Sequence, residues 1–193
     1  MFKKLLTACV LCLVASTSDA GTEISFADIP WGYDGATVKS RLLERGFTFV
    51  QVDQDGDLQF NGTIDGERAG LIAIRTKDDK LVKWIITIVP AEQRTLDYYR
   101  RFKRDLTARY GRAAIDREDW AFPYQNGEHV GQEEVAIRVG KGLLQAAWST
   151  NRALPAVVIE ITDRLLVTAA YEGPGWHEEL GRRRAGIASG ADF

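Results

Sequence analysis

The chain predicts an α+β fold in which two helix-plus-antiparallel-meander units pack as one domain. Three observations carry this. Residues 94–111, RTLDYYRRFKRDLTARYG, form a strongly amphipathic helix in the middle of the chain. Alternating apolar stretches broken by short turn signals flank it on both sides. A shorter helix precedes the first group of strands, so each half reads as one helix followed by about four strands.

In the central helix Leu96, Tyr99, Phe102, Leu106 and Tyr110 recur at three- and four-residue steps. At about 100° per residue they fall within an arc of roughly 120°. Burying these side chains is worth roughly 1.5–3 kcal/mol each, and the partner that buries them is a sheet built from the flanking strands.

The chain begins with a leader. Lys3 and Lys4, an apolar run over residues 5–16, and the small residues Ser18 and Ala20 before Gly21 predict a cleaved signal peptide over residues 1–20. The run is shorter than the roughly 20 residues of a membrane span. Leu6-Thr7-Ala8-Cys9 has the residue types of a lipoprotein box, but almost no hydrophobic segment precedes it. Cys9 and Cys12 therefore leave with the signal, and the exported chain holds together without a disulfide. Its expected location is periplasmic or secreted.

Of 193 residues, 173 then remain. Removing Lys3, Lys4 and Asp19 from the 25 basic and 27 acidic residues leaves 23 against 26, a net charge of −3. That near balance argues against a nucleic-acid partner. No second apolar run approaches membrane-spanning length, so no membrane span is expected after cleavage. The domain is expected over residues 21–175, with pseudo-repeat halves at 21–90 and 91–175 and a polar tail at 176–193.

Residues 23–29 alternate as a short strand, broken by Pro30-Trp31-Gly32. Asp34 is a helix N-cap, Val38, Leu42 and Leu43 supply the buried side, and Gly46 takes the left-handed C-terminal position. Phe47 and Phe49 open a meander that turns at Asp55-Gly56, at Asp65-Gly66 and at residues 77–80. Its last strand, residues 81–89, places Trp84, Ile86 and Ile88 on one face. After the central helix, residues 113–124 read as extended. Val135, Ile137 and Val139 alternate as a strand, and Gly140-Lys141-Gly142 turns into residues 143–149. Residues 156–162 and 165–171 complete the set, and the tail from Trp176 carries about one helical turn.

Chemistry is conspicuous by its absence. There is no Gly-x-Ser-x-Gly elbow, phosphate loop or dinucleotide fingerprint, and no cysteine outside the leader. His129 and His177 are the only imidazoles. His177-Glu178-Glu179-Leu180-Gly181 lacks the second histidine of a zinc-protease motif. Asp53, Asp55 and Asp57 resemble a calcium loop, but counted from Asp53 its glycine and glutamate positions hold Leu58 and Ile64. The three aspartates read instead as the flanks of a hairpin turn. No metal and no cofactor is expected, and no spacing singles out a catalytic pair of carboxylates.

Trp120, Phe122 and Tyr124 are the most suggestive group. At i, i+2 and i+4 on one strand they form either a stacking platform for a flat ligand or a row packed beneath a helix. Trp31 either caps the core or lines a groove. The central helix also carries Arg94, Arg100, Arg101, Lys103, Arg104 and Arg109. Asp97 and Asp105, four residues ahead of Arg101 and Arg109, predict helical ion pairs and a solvated face. Asn61-Gly62-Thr63 is formally a glycosylation acceptor and otherwise marks a turn.

Residues 26–32 (FADIPWG) opening onto a helix, Thr95-Leu96-Asp97-Tyr98-Tyr99 leading to Arg109-Tyr110-Gly111, and residues 166–176 (LVTAAYEGPGW) together resemble a group of small exported bacterial α+β proteins of uncharacterised function with helix-plus-β-meander units. The layout is also similar to β-lactamase-inhibitor-protein-like and outer-membrane-assembly lipoprotein folds. The lipoprotein family is anchored through a cysteine that this chain lacks in a usable position. The resemblance implies a fold and carries over no functional residue.

The function expected is therefore a non-catalytic binding or protein-interaction module of the bacterial envelope. Its partner would be another envelope protein or a wall saccharide, held through Trp31, Trp120, Phe122 and Tyr124. The alternatives are a carboxylate-based hydrolase of envelope polymers and an inhibitor of a secreted hydrolase. The inhibitor would present a convex, aromatic-rich loop.

Overall fold

A computed structural model describes residues 24–91, 94–125, 127, 130–149 and 156–189. The predicted leader with Cys9 and Cys12, and His129, lie outside the described residues. The first helix, α1 (Gly35–Glu44), starts as the sequence predicts: the Asp34 carboxylate accepts from the Thr37 amide at 2.8 Å. That bond holds the carboxyl pKa below its ordinary value. Val38 and Leu42 face inward beside Gly35, whereas Leu43 lies outside the stripe and is exposed. Gly46 (φ 82°) then turns the chain into a four-strand meander, β1 (Thr48–Val52), β2 (Leu58–Ile64), β3 (Glu67–Arg75) and β4 (Leu81–Val89). At the β2–β3 turn both Asp65 and Gly66 have positive φ, the backbone that the Asp-Gly pair serves.

The second half repeats the plan. Helix α2 (Thr95–Tyr110) precedes β5 (Ile115–Trp120), a short helix α3 (Glu133–Arg138), β6 (Gly142–Ser149), β7 (Ala156–Ile161) and β8 (Val167–Glu172). All eight strands form one antiparallel sheet in the order β1-β2-β3-β4-β8-β7-β6-β5. The order is palindromic about the β4–β8 junction, so the two meanders meet through their last strands. Turn chemistry repeats as well. The Thr76 amide donates to Lys80 O, the Lys80 amide to Thr76 Oγ1, and Asp79 has φ 61°. Thr162, Leu166 and Leu165 (φ 57°) reproduce the same bonds between β7 and β8.

One face of the sheet packs against α1 and α2. Phe60, Leu71, Trp84, Ile86, Ile88, Val167, Ile159, Ala146 and Trp148 form its buried rows. From α2, Tyr98, Tyr99 and Leu106 are buried there, with Leu96, Phe102 and Tyr110 half-buried around them. The predicted face therefore holds and widens by Tyr98.

Three elements differ from the sequence reading. Residues 24–29 form no strand, because Ala27 and Asp28 take left-handed φ and fold the segment into a turn that buries Ile24 and Ile29. The alternation at Val135, Ile137 and Val139 belongs to α3, whose Ala136 and Ile137 are buried while Val135 and Val139 are exposed. Gly140 (φ 69°) consequently ends a helix rather than joining two strands. The polar tail is a helix of fourteen residues, α4 (Trp176–Ser189). It lies on the other face of the sheet, where Trp176 and Leu180 pack on Ile72, Ile74, Val82 and Ile85. Among the described residues no helix is long and apolar enough to cross a membrane.

Candidate functional site

The two meanders differ most in the link between their first and second strands. In the first half β1 reaches β2 through residues 53–57 alone. Asp53 shapes that turn by accepting from the amides of Asp55 (3.1 Å) and Asp57 (2.8 Å). In the second half β5 reaches β6 through an excursion over residues 121–141 that contains α3. The excursion is closed at its base, where the Ala121 amide donates to Lys141 O and the Lys141 amide to Ala136 O. The Trp120 ring lies directly on Gly142, and a Cβ there would come within 2.5 Å of its Cζ3. Trp120 is thus half-buried against the core, beside buried Ile137.

This geometry changes the predicted aromatic row. β5 ends at Trp120, and residues 121–125 turn, with a cis peptide bond between Phe122 and Pro123. The three rings therefore do not project from one face of one strand. Trp120 packs inward, Tyr124 is half-buried and Phe122 is 76% exposed. The reason is positional: alternation sorts side chains by face only while the strand continues. The excursion instead gathers apolar side chains in solvent. Of the eight large exposed hydrophobic residues among those described, Phe122, Val130, Val135 and Val139 lie within it. Val135 and Val139, four residues apart, share the outer side of α3.

Trp31 caps the core and also borders a cavity. Its indole N–H donates to Ile24 O at 2.9 Å, and one ring face lies on the backbone of Gly173. The remaining surface helps line a cavity of about 610 Å³ beside Lys77, Asp78, Lys80, Pro174 and Glu178.

Beside this cavity runs a charged network that the sequence reading missed. The buried Asp57 carboxylate accepts two bonds from Arg183, at 2.7 and 2.8 Å, and a third from the Arg75 amide at 3.0 Å. Arg183 also donates to Glu179 at 2.7 Å and to Arg75 O at 3.0 Å. Glu179, itself buried, accepts from Arg182 at 2.6 and 2.9 Å. Those bonds, first from Arg182 and then from Arg183, hold its carboxyl below the ordinary pKa of 4.5 despite burial. The guanidinium of Arg183 is raised still higher by Asp57 and Glu179. The spacing Glu179 to Arg183, one helical turn, was the available signal. His177, on the first turn of α4, is exposed.

The arginines of α2 do not form the pairs that spacing predicts. Arg109 bonds Asp28 at 3.1 Å, Lys103 bonds Asp116, and Arg101 lies over the Tyr98 ring. Arg100, Lys103 and Arg104 lie with Thr107 and Ala108 along an open outer face of the helix. Tyr98, whose buried hydroxyl has no hydrogen-bond partner, is pushed up to about 12 by burial. Tyr99 and Tyr171 move in the same direction for the same reason. These phenols stay protonated at neutral pH.

No family model, no curated protein and no solved structure matches this chain.

Proposed function

We propose that the protein is a non-catalytic exported binding module of the bacterial envelope, and that it engages another envelope protein through the 121–141 excursion. One observation carries this reading: half of the large exposed hydrophobic side chains among the described residues sit on that one excursion, on a base locked to the sheet. Clustered exposed apolar side chains mark interaction surfaces, whereas scattered ones do not. A partner that matches these side chains offers an apolar surface of its own. A secreted hydrolase inhibited at its cleft is one partner of that kind. The buried carboxylates support a non-catalytic reading. Asp57 and Glu179 are taken up by Arg183, and Glu67 accepts from the Ala91 amide at 3.0 Å. A general acid would need a raised pKa, and Glu179 has a lowered one.

A photo-crosslinking residue placed at position 122 or 135 in the producing cell tests the reading. The expected result is a discrete adduct with one envelope protein, absent when the crosslinker sits at Asp163 in the β7–β8 turn. If none of positions 122, 135 and 139 gives an adduct beyond the Asp163 control, the reading fails.

The saccharide reading rests on a separate observation, the cavity beside Trp31. Its volume lies within the roughly 300–1,000 Å³ of small-molecule sites, and its rim is polar and charged. Titration with soluble wall fragments would change tryptophan fluorescence in the native protein and not in Trp31→Phe. An unchanged signal in both removes this second reading.

A further inference from the structure

Among the described residues the sheet has two free edges, and they are built differently. β5 carries Asp116, Arg117, Glu118 and Asp119 within its six residues. Charges of this kind keep an edge strand from pairing with another chain. β1 reads Thr48-Phe49-Val50-Gln51-Val52, with no charge and no proline, and a bulge at Val50 in its pairing with β2 is its one irregularity. Its outer side has no neighbouring strand among the described residues, and Val50 and Val52 are 48% and 53% exposed. On either side of that bulge the edge offers unpaired N–H and C=O groups to a strand that can follow its bend, as a second bulged copy can.

The charges at the two ends of β1 specify the match. The chain enters β1 from the last turn of α1, past exposed Arg41, Glu44 and Arg45, with Arg41 3.9 Å from Glu44. It leaves into the turn that holds Asp53 and Asp55, the Asp55 side chain lying 3.7 Å from Arg183 and yet 72% exposed. The edge therefore carries a net positive charge where it starts, two arginines against one glutamate, and two aspartates where it ends. A second copy laid parallel sets like charges side by side. Laid antiparallel, it sets each basic end against the other's acidic end. Antiparallel self-pairing is also what a two-fold axis requires.

We propose that β1 is the interface of a two-fold homodimer, in which it pairs antiparallel with β1 of a second copy. The two eight-stranded sheets join into one, with Arg45 of each copy facing Asp55 of the other. A five-residue edge falls short of the roughly 800 Å² per partner of a standard interface, even with α1 and its exposed Leu43 alongside. The dimer therefore dissociates on dilution. It uses the opposite end of the sheet from the 121–141 excursion and stands independently of the partner proposed there.

Sedimentation equilibrium over a dilution series, on the purified protein in the form that export leaves it, tests this. The expected result is a monomer–dimer equilibrium, with backbone amides of residues 48–52 slowed in hydrogen exchange at high concentration. Val50→Lys shifts the protein to monomer. Arg45→Glu and Asp55→Lys each weaken the dimer about tenfold, and the double variant regains it, because the reversed charges again face opposite signs. A misfolded variant cannot produce that rescue. A monomer at every concentration, a dimer untouched by Val50→Lys, or a double variant no better than the single ones overturns the proposal. So does protection of residues 48–52 that appears only on adding an extended peptide.

Discussion

Arg183 ties together residues that lie more than a hundred positions apart in the chain. It closes Asp57 from the start of β2, Glu179 from α4 and the carbonyl of Arg75 into one group, with its own side chain only 16% exposed. Removing the guanidinium leaves the buried Asp57 carboxylate with the Arg75 amide alone, whereas Glu179 keeps its two bonds from Arg182. Arg183→Met should cost about 3–5 kcal/mol in urea unfolding, with the fold otherwise intact. A stability loss below about 1 kcal/mol would mean that water reaches Asp57 freely. Acid sensitivity follows from the same group. The folded pKa of Glu179 lies below its unfolded value, so the folded state binds fewer protons there. Its contribution is complete above about pH 4.5 and is lost as pH falls through the lower, folded pKa. Glu179→Gln should flatten that acid limb of the stability profile. Gly173 makes a contrasting point: a Cβ there meets Trp31 Cδ2 at 2.3 Å. Gly173→Ala should cost roughly 1–3 kcal/mol by overpacking and shift Trp31 fluorescence.

Among the elements, α4 is the one whose role depends on where it docks. Its apolar contacts are few, Trp176 and Leu180 on Ile72, Ile74, Val82 and Ile85, and ion pairs supply the rest. Ending the chain at residue 175 should uncover those four side chains. The truncated protein should bind a hydrophobic dye and lose several degrees of Tm while keeping its far-ultraviolet strand signal. A full-length variant with Trp176→Ala should show the same trend in smaller measure. The turns between β3 and β4 and between β7 and β8 make a matched pair. Thr76→Ala and Thr162→Ala each remove one hydrogen bond of identical form, at roughly 0.5–1.5 kcal/mol apiece. Near-equal losses would support the equivalence of the halves.

At the scale of the whole molecule, two similar meanders meet at β4 and β8 and leave their first strands, β1 and β5, at the ends. The halves then diverge. One end of the sheet is an uncharged edge, and the other bears charged β5 and the apolar excursion. The exposed side chains of that excursion contribute little to the core, so Phe122→Asp should change stability by less than about 0.5 kcal/mol. It should also abolish the adduct formed through position 135. A large stability loss would show instead that Phe122 belongs to the fold.

The sequence by itself determined the helices at 35–44 and 95–110, the Asp-Gly turns and the strands that carry Trp84, Ile86 and Ile88. In each of these the local pattern and the buried face agree. It also predicted the helix-then-meander plan that the palindromic sheet displays. The α3 region was not legible because an apolar run of three alternate positions fits either a short strand or one helical turn. Packing of Ile137 beside Trp120 and Gly142 decided between them. Helix α4 was hidden for a different reason. It is held by Glu179 and Arg183 as much as by apolar groups, and hydrophobic periodicity does not register ion pairs. The aromatic residues were legible as a group but not as a site. Tertiary structure ended β5 at Trp120, turned that ring into the core and left Phe122 in solvent, because a strand sorts its side chains only as far as its ladder runs.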